Sequence, residues 1–173
     1  MHVLLTGSPG VGKTTLLRKV VTRLPGLVGG FYTEEMREEG RRVGFRIQAL
    51  DGRKGILAHK DALGTYFVQD KKSDYKINLK DLEDIGVDSI LKAIESSNLV
   101  VIDEVGHMEL FSEKFRDAVL KAFDSRKTVL ATISKYGGPF EEGLKSRADV
   151  KVVEVTRENR DALPDEVFRL VRG

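Results

Sequence analysis

Residues 7–15 read GSPGVGKTT, and the rest of the chain takes its meaning from how this stretch is read. Gly7, Ser8, Pro9, Gly10, Val11, Gly12, Lys13 and Thr14 fill every position of the pattern G-x-x-x-x-G-K-[ST]. A chain of this length and ordinary composition meets that pattern by accident on the order of 1% of the time. The glycines let successive backbone N–H groups curl around phosphate oxygens, and the N-terminus of the following helix adds partial positive charge. Such a loop needs a strand before it and a helix after it. Both are predicted here: Val3-Leu4-Leu5 is an apolar run, and Leu16, Leu17, Val20, Val21 and Leu24 recur at helical spacing until Pro25-Gly26. Lys13 would reach the β and γ phosphates, the Thr14 hydroxyl would ligate Mg²⁺, and Thr15 would bond an α-phosphate oxygen. The loop leaves reaction and base open, since kinases, switch GTPases and plain hydrolases share it.

A phosphate loop of this kind needs a second magnesium anchor at the end of a neighbouring strand, an acid behind four apolar residues. Leu99-Val100-Val101-Ile102 followed by Asp103 supplies it, inside the stretch VVIDEVGHMEL. A carboxylate at the end of a buried strand needs a cation or donors to offset desolvation. Glu104, next in the chain, is placed to orient and deprotonate a water in line with the γ-phosphorus. His107 is the rival, because Asp103-x-x-Gly106-His107 is also a pattern in which a histidine orients the water. A guanine-specific enzyme would also need Asn/Thr-Lys-x-Asp; Ser134-Lys135-Tyr136-Gly137 carries Gly where the Asp is required. Glu104 is therefore preferred, with His107 read otherwise as an ordinary loop histidine.

Outward from these two sites, residues 28–59 turn to short β-rich pieces divided by Glu39-Gly40 and Asp51-Gly52, predicting an antiparallel excursion of about three strands. Residues 60–80 read as a surface connection with a short strand at 75–78. Then follow a helix at 85–94, the strand at 99–103, a helix after the N-cap Ser112, a strand at 128–133, a short helix at 139–145, a strand at 150–155 and a last helix from Pro164. Strands alternating with helices predict one α/β domain over residues 1–173, with a mainly parallel sheet.

Composition narrows the class. Charged residues are 32% of the chain but nearly cancel, leaving a net charge of +2. No strong field points to nucleic acid or to a membrane surface. The absence of Cys removes disulfides, thiolate nucleophiles and cysteine metal sites, and fits a cytoplasmic setting. The first residues carry too short an apolar run for a signal peptide, and no run approaches the ~20 residues that span a bilayer. Three Asn and two Gln beside many Lys, Arg and Glu match a bias of proteins from hot environments. Nothing specifies an oligomer, so a monomer is expected.

Taken together, GSPGVGKTTL, GGFYTEEMREEGRRVGFRI, VVIDEVGHMEL and VTRENRDALP resemble the small thermostable nucleoside-triphosphatases shared by archaea, bacteria and animals, relatives of the human cancer-related nucleoside-triphosphatase. The resemblance covers residues 1–170. It implies a RecA-like P-loop fold and hydrolysis of ATP, GTP, CTP, UTP and TTP with little base preference, nucleoside diphosphates being poorer substrates. It implies Gly7 to Thr14 as the first nucleotide-binding stretch, and Leu99, Val100, Val101, Ile102, Asp103, Glu104, Val105 and Gly106 as the second. His107 stands where other members carry different residues, and GGPF at 137–140 is not the form expected of every member.

Phosphoryl transfer gains from a late positive charge, and Lys145 and Arg147 are the candidates, each otherwise read as part of a solvated basic face. Arg160, after the last strand, would stack on any base, or else pair at the surface beside a helix cap at Asn159. Thr33 is a weaker candidate for contact with Mg²⁺ or the γ-phosphate. Two other classes remain open: a nucleotide or small-molecule kinase holding its acceptor against residues 28–59, and a nucleotide-gated binding module.

Overall fold

Strand β1 (His2–Thr6) is buried along its whole length, as an unbroken apolar run requires when both faces of a sheet are covered. Leu4 packs into one core cluster, Val3 and Leu5 into the other. The computed structural model describes residues 1–173. After β1 come α1 (Lys13–Val21), β2 (Val28–Glu38), β3 (Arg41–Ala49), β4 (Lys54–His59), β5 (Phe67–Gln69) and β6 (Lys76–Asn78). A helical stretch follows, made of α2 (Leu79–Asp81), a π-helical segment (Leu82–Val87) and α3 (Asp88–Ser96). The chain ends with β7 (Leu99–Val105), a 3₁₀ turn (Glu109–Phe111), α4 (Glu113–Asp124), β8 (Thr128–Ile133), α5 (Pro139–Lys145), β9 (Val150–Glu154) and α6 (Leu163–Arg172).

All nine strands join one sheet in the order β5-β6-β4-β3-β2-β7-β8-β1-β9. From β2 to β9 the pairing is parallel, and from β2 to β5 it is antiparallel. The three strands expected at 28–59 are present, but they continue the central sheet instead of leaving it. Strand β2 makes the join: residues 28–31 pair in parallel with 99–102, while residues 31–38 pair antiparallel with β3. A glycine pair permits this close approach. Gly30 sits at φ +117°, where a Cβ would collide with the Val101 carbonyl, and a Cβ on Gly29 would press on Ser97 and Ala93 of the α3 end.

The connection at 60–80 holds two strands where one was expected, because the three residues of β5 are too short to show a period. The helix expected at 85–94 begins earlier, where the Asn78 side chain caps α2 by accepting from the Asp81 amide at 3.0 Å. Ser112 caps α4 as expected, accepting from the Phe115 amide at 3.1 Å. Helices α1 and α6 cover one face of the sheet; α3 and α4 cover the other. Phe31 of β2 meets Phe115 of α4 edge-on at 6.1 Å, and each fully buried side chain of that size contributes about 1.5–3 kcal/mol. Because the central strands run parallel, the loops after β1, β7, β8 and β9 emerge at one edge.

Candidate active site

The glycine loop lies at that edge, between β1 and α1. Gly7 takes φ +147° beneath the β9–α6 connection, where any Cβ would strike the Val155 carbonyl. Gly12 occupies the N-cap of α1 at φ +112° and has no side chain to cap it, so the first amides of the helix stay open to a ligand. Lys13 is buried and folds back over the loop, its Nζ donating to the Gly7 carbonyl at 3.0 Å and reaching the Ser8 carbonyl at 3.5 Å. A phosphate oxygen offers a stronger acceptor than either carbonyl.

Asp103 stands opposite. Its carboxylate is fully buried in β7, two residues before the strand ends at Val105, and pairs with no Lys or Arg. Three donors hold it: Thr132 Oγ1 at 2.6 Å and Thr14 Oγ1 at 3.0 Å on Oδ1, and the Thr33 amide at 3.3 Å on Oδ2. Burial pushes its pKa up, while those three hydrogen bonds pull it down. Thr132 belongs to β8, which lies between β1 and β7, and so it bridges the loop side and the acid side. A buried carboxylate bonded to one hydroxyl of the phosphate loop fits Mg²⁺, which takes one or two protein oxygens and fills its octahedron with phosphates and water. No cluster of three His, Cys, Asp or Glu offers a fully protein-held metal site.

Glu104 points into the cavity. Its Oε2 lies 4.0 Å from Lys13 Nζ, and its Oε1 accepts from Ser134 Oγ at 3.4 Å. The Asp103–Glu104 peptide bond is cis. Burial raises the Glu104 pKa, Lys13 lowers it, and the charge of Asp103 raises it again. Behind it, Glu109 is buried and held well above the usual carboxylate range, first by burial and then by the charge of Glu104. Glu104, Lys13, Thr14, Thr15, Gly7, Pro9, Gly10 and Gly12 line a cavity of about 610 Å³ together with Arg18, Thr33, Glu34, Glu35, Arg42, Phe45, Ser134, Lys135 and Tyr136.

The other expected residues are placed in several different ways. Ser8 and Val11 line a smaller neighbouring pocket of about 250 Å³ beside Val155, whereas Leu99, Val100, Val101, Ile102 and Val105 are sheet core and carry Asp103 without facing the cavity. Gly106 lets two carboxyls crowd its α-carbon, a Cβ there being 2.8 Å from Glu104 Oε1 and 3.2 Å from Glu109 Oε2. Arg160 does reach the loop, donating to the Val11 carbonyl at 3.2 Å and lining a smaller pocket with Gly12, Thr15, Leu16, Lys19 and Asp161. Asn159 caps the turn before it, accepting from the Thr156 amide at 2.8 Å.

Three alternative candidates lie outside the cavity. His107 turns away from the loop, its Nε2 lying 2.8 Å from Asp70 Oδ1 and its ring edge-on to Phe111. Arg147 sits at the opposite edge of the sheet, bound to Asp124 at 2.8 Å, Asp149 at 2.9 Å and the Phe123 carbonyl at 3.1 Å. Lys145 donates to the Lys135 carbonyl at 2.9 Å and to Glu142; it braces the loop that carries Lys135 without entering the cavity. Both basic residues are held by acceptors outside the cavity. Sequence reading missed Thr132, Ser134 as a partner of Glu104, and Arg18. A threonine interrupting the apolar strand Val129-Leu130-Ala131-Thr132-Ile133 was the available signal for the first.

A family model described as NTPase matches residues 2–168. The chain belongs to the NTPase family. Within it, the nucleoside-triphosphatase THEP1 of Thermotoga sp. strain RQ2 is 51% identical over 172 residues, covering 99% of this chain and 96% of its own. The crystal structure of THEP1 from the hyperthermophile Aquifex aeolicus superposes with a TM-score of 0.88 at 34% identity over the whole of both chains. The solution structure of a human cancer-related nucleoside triphosphatase gives 0.79 at 38% identity, covering 99% of this chain and 97% of that one. The P-loop α/β fold and the family expected from the sequence are those found, and the chain is an NTPase-family hydrolase. No helix is long and apolar enough to cross a membrane.

Proposed function

We propose that this NTPase-family chain hydrolyses nucleoside triphosphates to diphosphate and inorganic phosphate with Mg²⁺, accepting ATP, GTP, CTP, UTP and TTP and turning over diphosphates less well. The observation that carries the reading is a carboxylate, Glu104, placed 4.0 Å from the phosphate-loop lysine in one cavity. The relatives' names, nucleoside-triphosphatase, support the same substrate class. The cysteine-free sequence fits a cytoplasmic setting.

The loop amides and Lys13 hold the triphosphate; Thr14 and Asp103 are the pair that would hold Mg²⁺, whose chemistry is to neutralise phosphate charge. Ser134 offers Glu104 a long hydrogen bond, 3.4 Å, that favours its orientation into the cavity. Glu104 orients a water and takes its proton as the water oxygen bonds to the γ-phosphorus. The bond from that phosphorus to the β–γ bridging oxygen breaks, and the diphosphate leaves with those electrons. Arg160 supports tolerance of the base: it offers a flat guanidinium beside Gly12 and Thr15, a surface on which any ring can stack.

The cavity also runs past the loop to Glu34, Glu35, Arg42 and Phe45, room that the acceptor of a kinase would need. Phosphate release from the five triphosphates with Mg²⁺ and water alone separates the two readings, with Lys13→Ala as the inactive reference. Release from all five supports the proposal. Release from one base only, or only after an acceptor is added, refutes it.

A further inference from the structure

As the bond to the leaving diphosphate breaks, negative charge redistributes over the γ-phosphoryl oxygens and the bridging oxygen. A cation that meets this charge only in the transition state speeds the step most. Arg147 and Lys145 are bound elsewhere, and Arg160 lies at the Val11 end of the loop. The cavity wall contains two arginines, Arg18 and Arg42. Arg42 is committed: its Nε donates to the Tyr75 hydroxyl at 3.0 Å, its Nη1 to Glu35 at 3.1 Å, and its guanidinium rests on the Phe45 ring.

Arg18 is held differently. Its Nε is buried with no hydrogen-bond partner. Nη2 reaches the Thr33 carbonyl at 3.5 Å, the outer limit of a hydrogen bond, and Nη1 lies 3.9 Å from Glu34. The guanidinium plane rests 4.8 Å from the centre of the Tyr32 ring, which supports the side chain without using any of its donors. An unsatisfied buried donor is costly in a folded chain, and a site whose ligand arrives later is one place where it persists.

Its place in the fold points the same way. Arg18 lies four residues beyond Thr14 in α1, so both side chains rise from one face of the helix. Thr33, whose carbonyl it touches, is the residue whose amide holds Asp103. Glu34 would not be stranded by its departure, since Arg46 lies 3.9 Å from the other carboxylate oxygen.

We propose that Arg18 is the catalytic cation of this site: as a bound triphosphate passes to the transition state, its guanidinium leaves the long contacts to Thr33 and Glu34 and donates to a γ-phosphoryl oxygen, from within the same chain. This rests on the hydrolysis reading above. No partner protein is then required to complete the site.

The test compares wild type, Arg18→Ala, Arg18→Lys and Arg46→Ala in phosphate release, and in binding of Mg-ADP with and without aluminium fluoride, which mimics the transferring phosphoryl group. Thermal unfolding establishes that each variant is folded. Arg18→Ala is expected to lose about 10²–10³-fold in kcat, the range for removing one transition-state donor. It should keep ADP affinity but lose the tightening that aluminium fluoride gives wild type. Arg18→Lys, which keeps the charge and loses the fork, should recover part of both; Arg46→Ala should keep both. The assignment is overturned if Arg18→Ala retains kcat within about threefold, or if aluminium fluoride tightens its ADP binding as in wild type. An active wild type with an equally active Arg18→Ala removes only this assignment. A wild type that releases no phosphate removes the hydrolysis reading, and this with it.

Discussion

Replacing Glu104 by Gln exchanges one oxygen for nitrogen at nearly constant volume, so it isolates charge and basicity. In the structure Oε2 is 4.0 Å from Lys13 Nζ, and the side chain is 33% exposed. Two unit charges at that separation attract by about 4 kcal/mol at an effective dielectric of ~20 and about 1 kcal/mol in water. Partial exposure puts this pair between those limits. Losing the carboxylate therefore frees Lys13 for the triphosphate and removes repulsion against the γ-phosphate, so nucleotide affinity should hold or rise. Turnover should fall, because general-base catalysis contributes about 10²–10⁴-fold, equivalent to roughly 3–5.5 kcal/mol of barrier. Single-turnover phosphate release and equilibrium binding of ATP, measured on the same preparation, separate the two effects. A Glu104→Gln enzyme with kcat within about threefold of wild type, or with raised KM at unchanged kcat, refutes the role. His107→Ala is the companion variant: with Nε2 on Asp70 it should keep kcat, and a collapse there beside an active Glu104→Gln would move the water-handling role to His107.

Arg147→Ala should leave kcat unchanged while lowering stability by about 1–3 kcal/mol in urea unfolding, because its bonds to Asp124, Asp149 and the Phe123 carbonyl are structural. Gly30→Ala puts a Cβ into the Val101 carbonyl at φ +117°; a loss of about 3 kcal/mol or more is expected from the fall in urea midpoint, and a near-neutral result would mean that β2 does not dock on β7 as described. Burial alone would raise the Asp70 carboxyl, but hydrogen bonds from Ser73, His107 and the Lys72 amide hold it down at about 2. A depressed folded pKa contributes stability above the unfolded value of 3.8, and that contribution is lost as pH falls towards about 2. Urea midpoints should drop over that window, and less steeply in His107→Ala.

Some of this was legible because the signal is local. An unbroken run such as Leu99 to Ile102 can bury both faces in a parallel sheet, and it did. Pro139 and Ser112 mark helix starts by their own backbone chemistry, and α5 and α4 begin where they indicate. Residues 28–59 were read as three strands but not as a continuation of the main sheet, because Gly29 and Gly30 carry no side chains to show a period where β2 meets β7.

The glycine loop, Lys13, Thr14 and the acid at Asp103 could thus be picked out from sequence alone, since each belongs to a short pattern, and the structure brings them together. The partners of Asp103 were decided by tertiary structure. Thr14 is 89 residues away from it, Thr33 is 70 and Thr132 is 29, and they converge because β8 lies between β1 and β7 while β2 flanks β7 on its other side. The same strand order sends Arg147 to the far edge, turns His107 to Asp70 and leaves Arg18 in the cavity wall. Periodicity reports which side of its own strand or helix a residue occupies. It does not report which other element that side will face, and the charged groups of this site meet across elements.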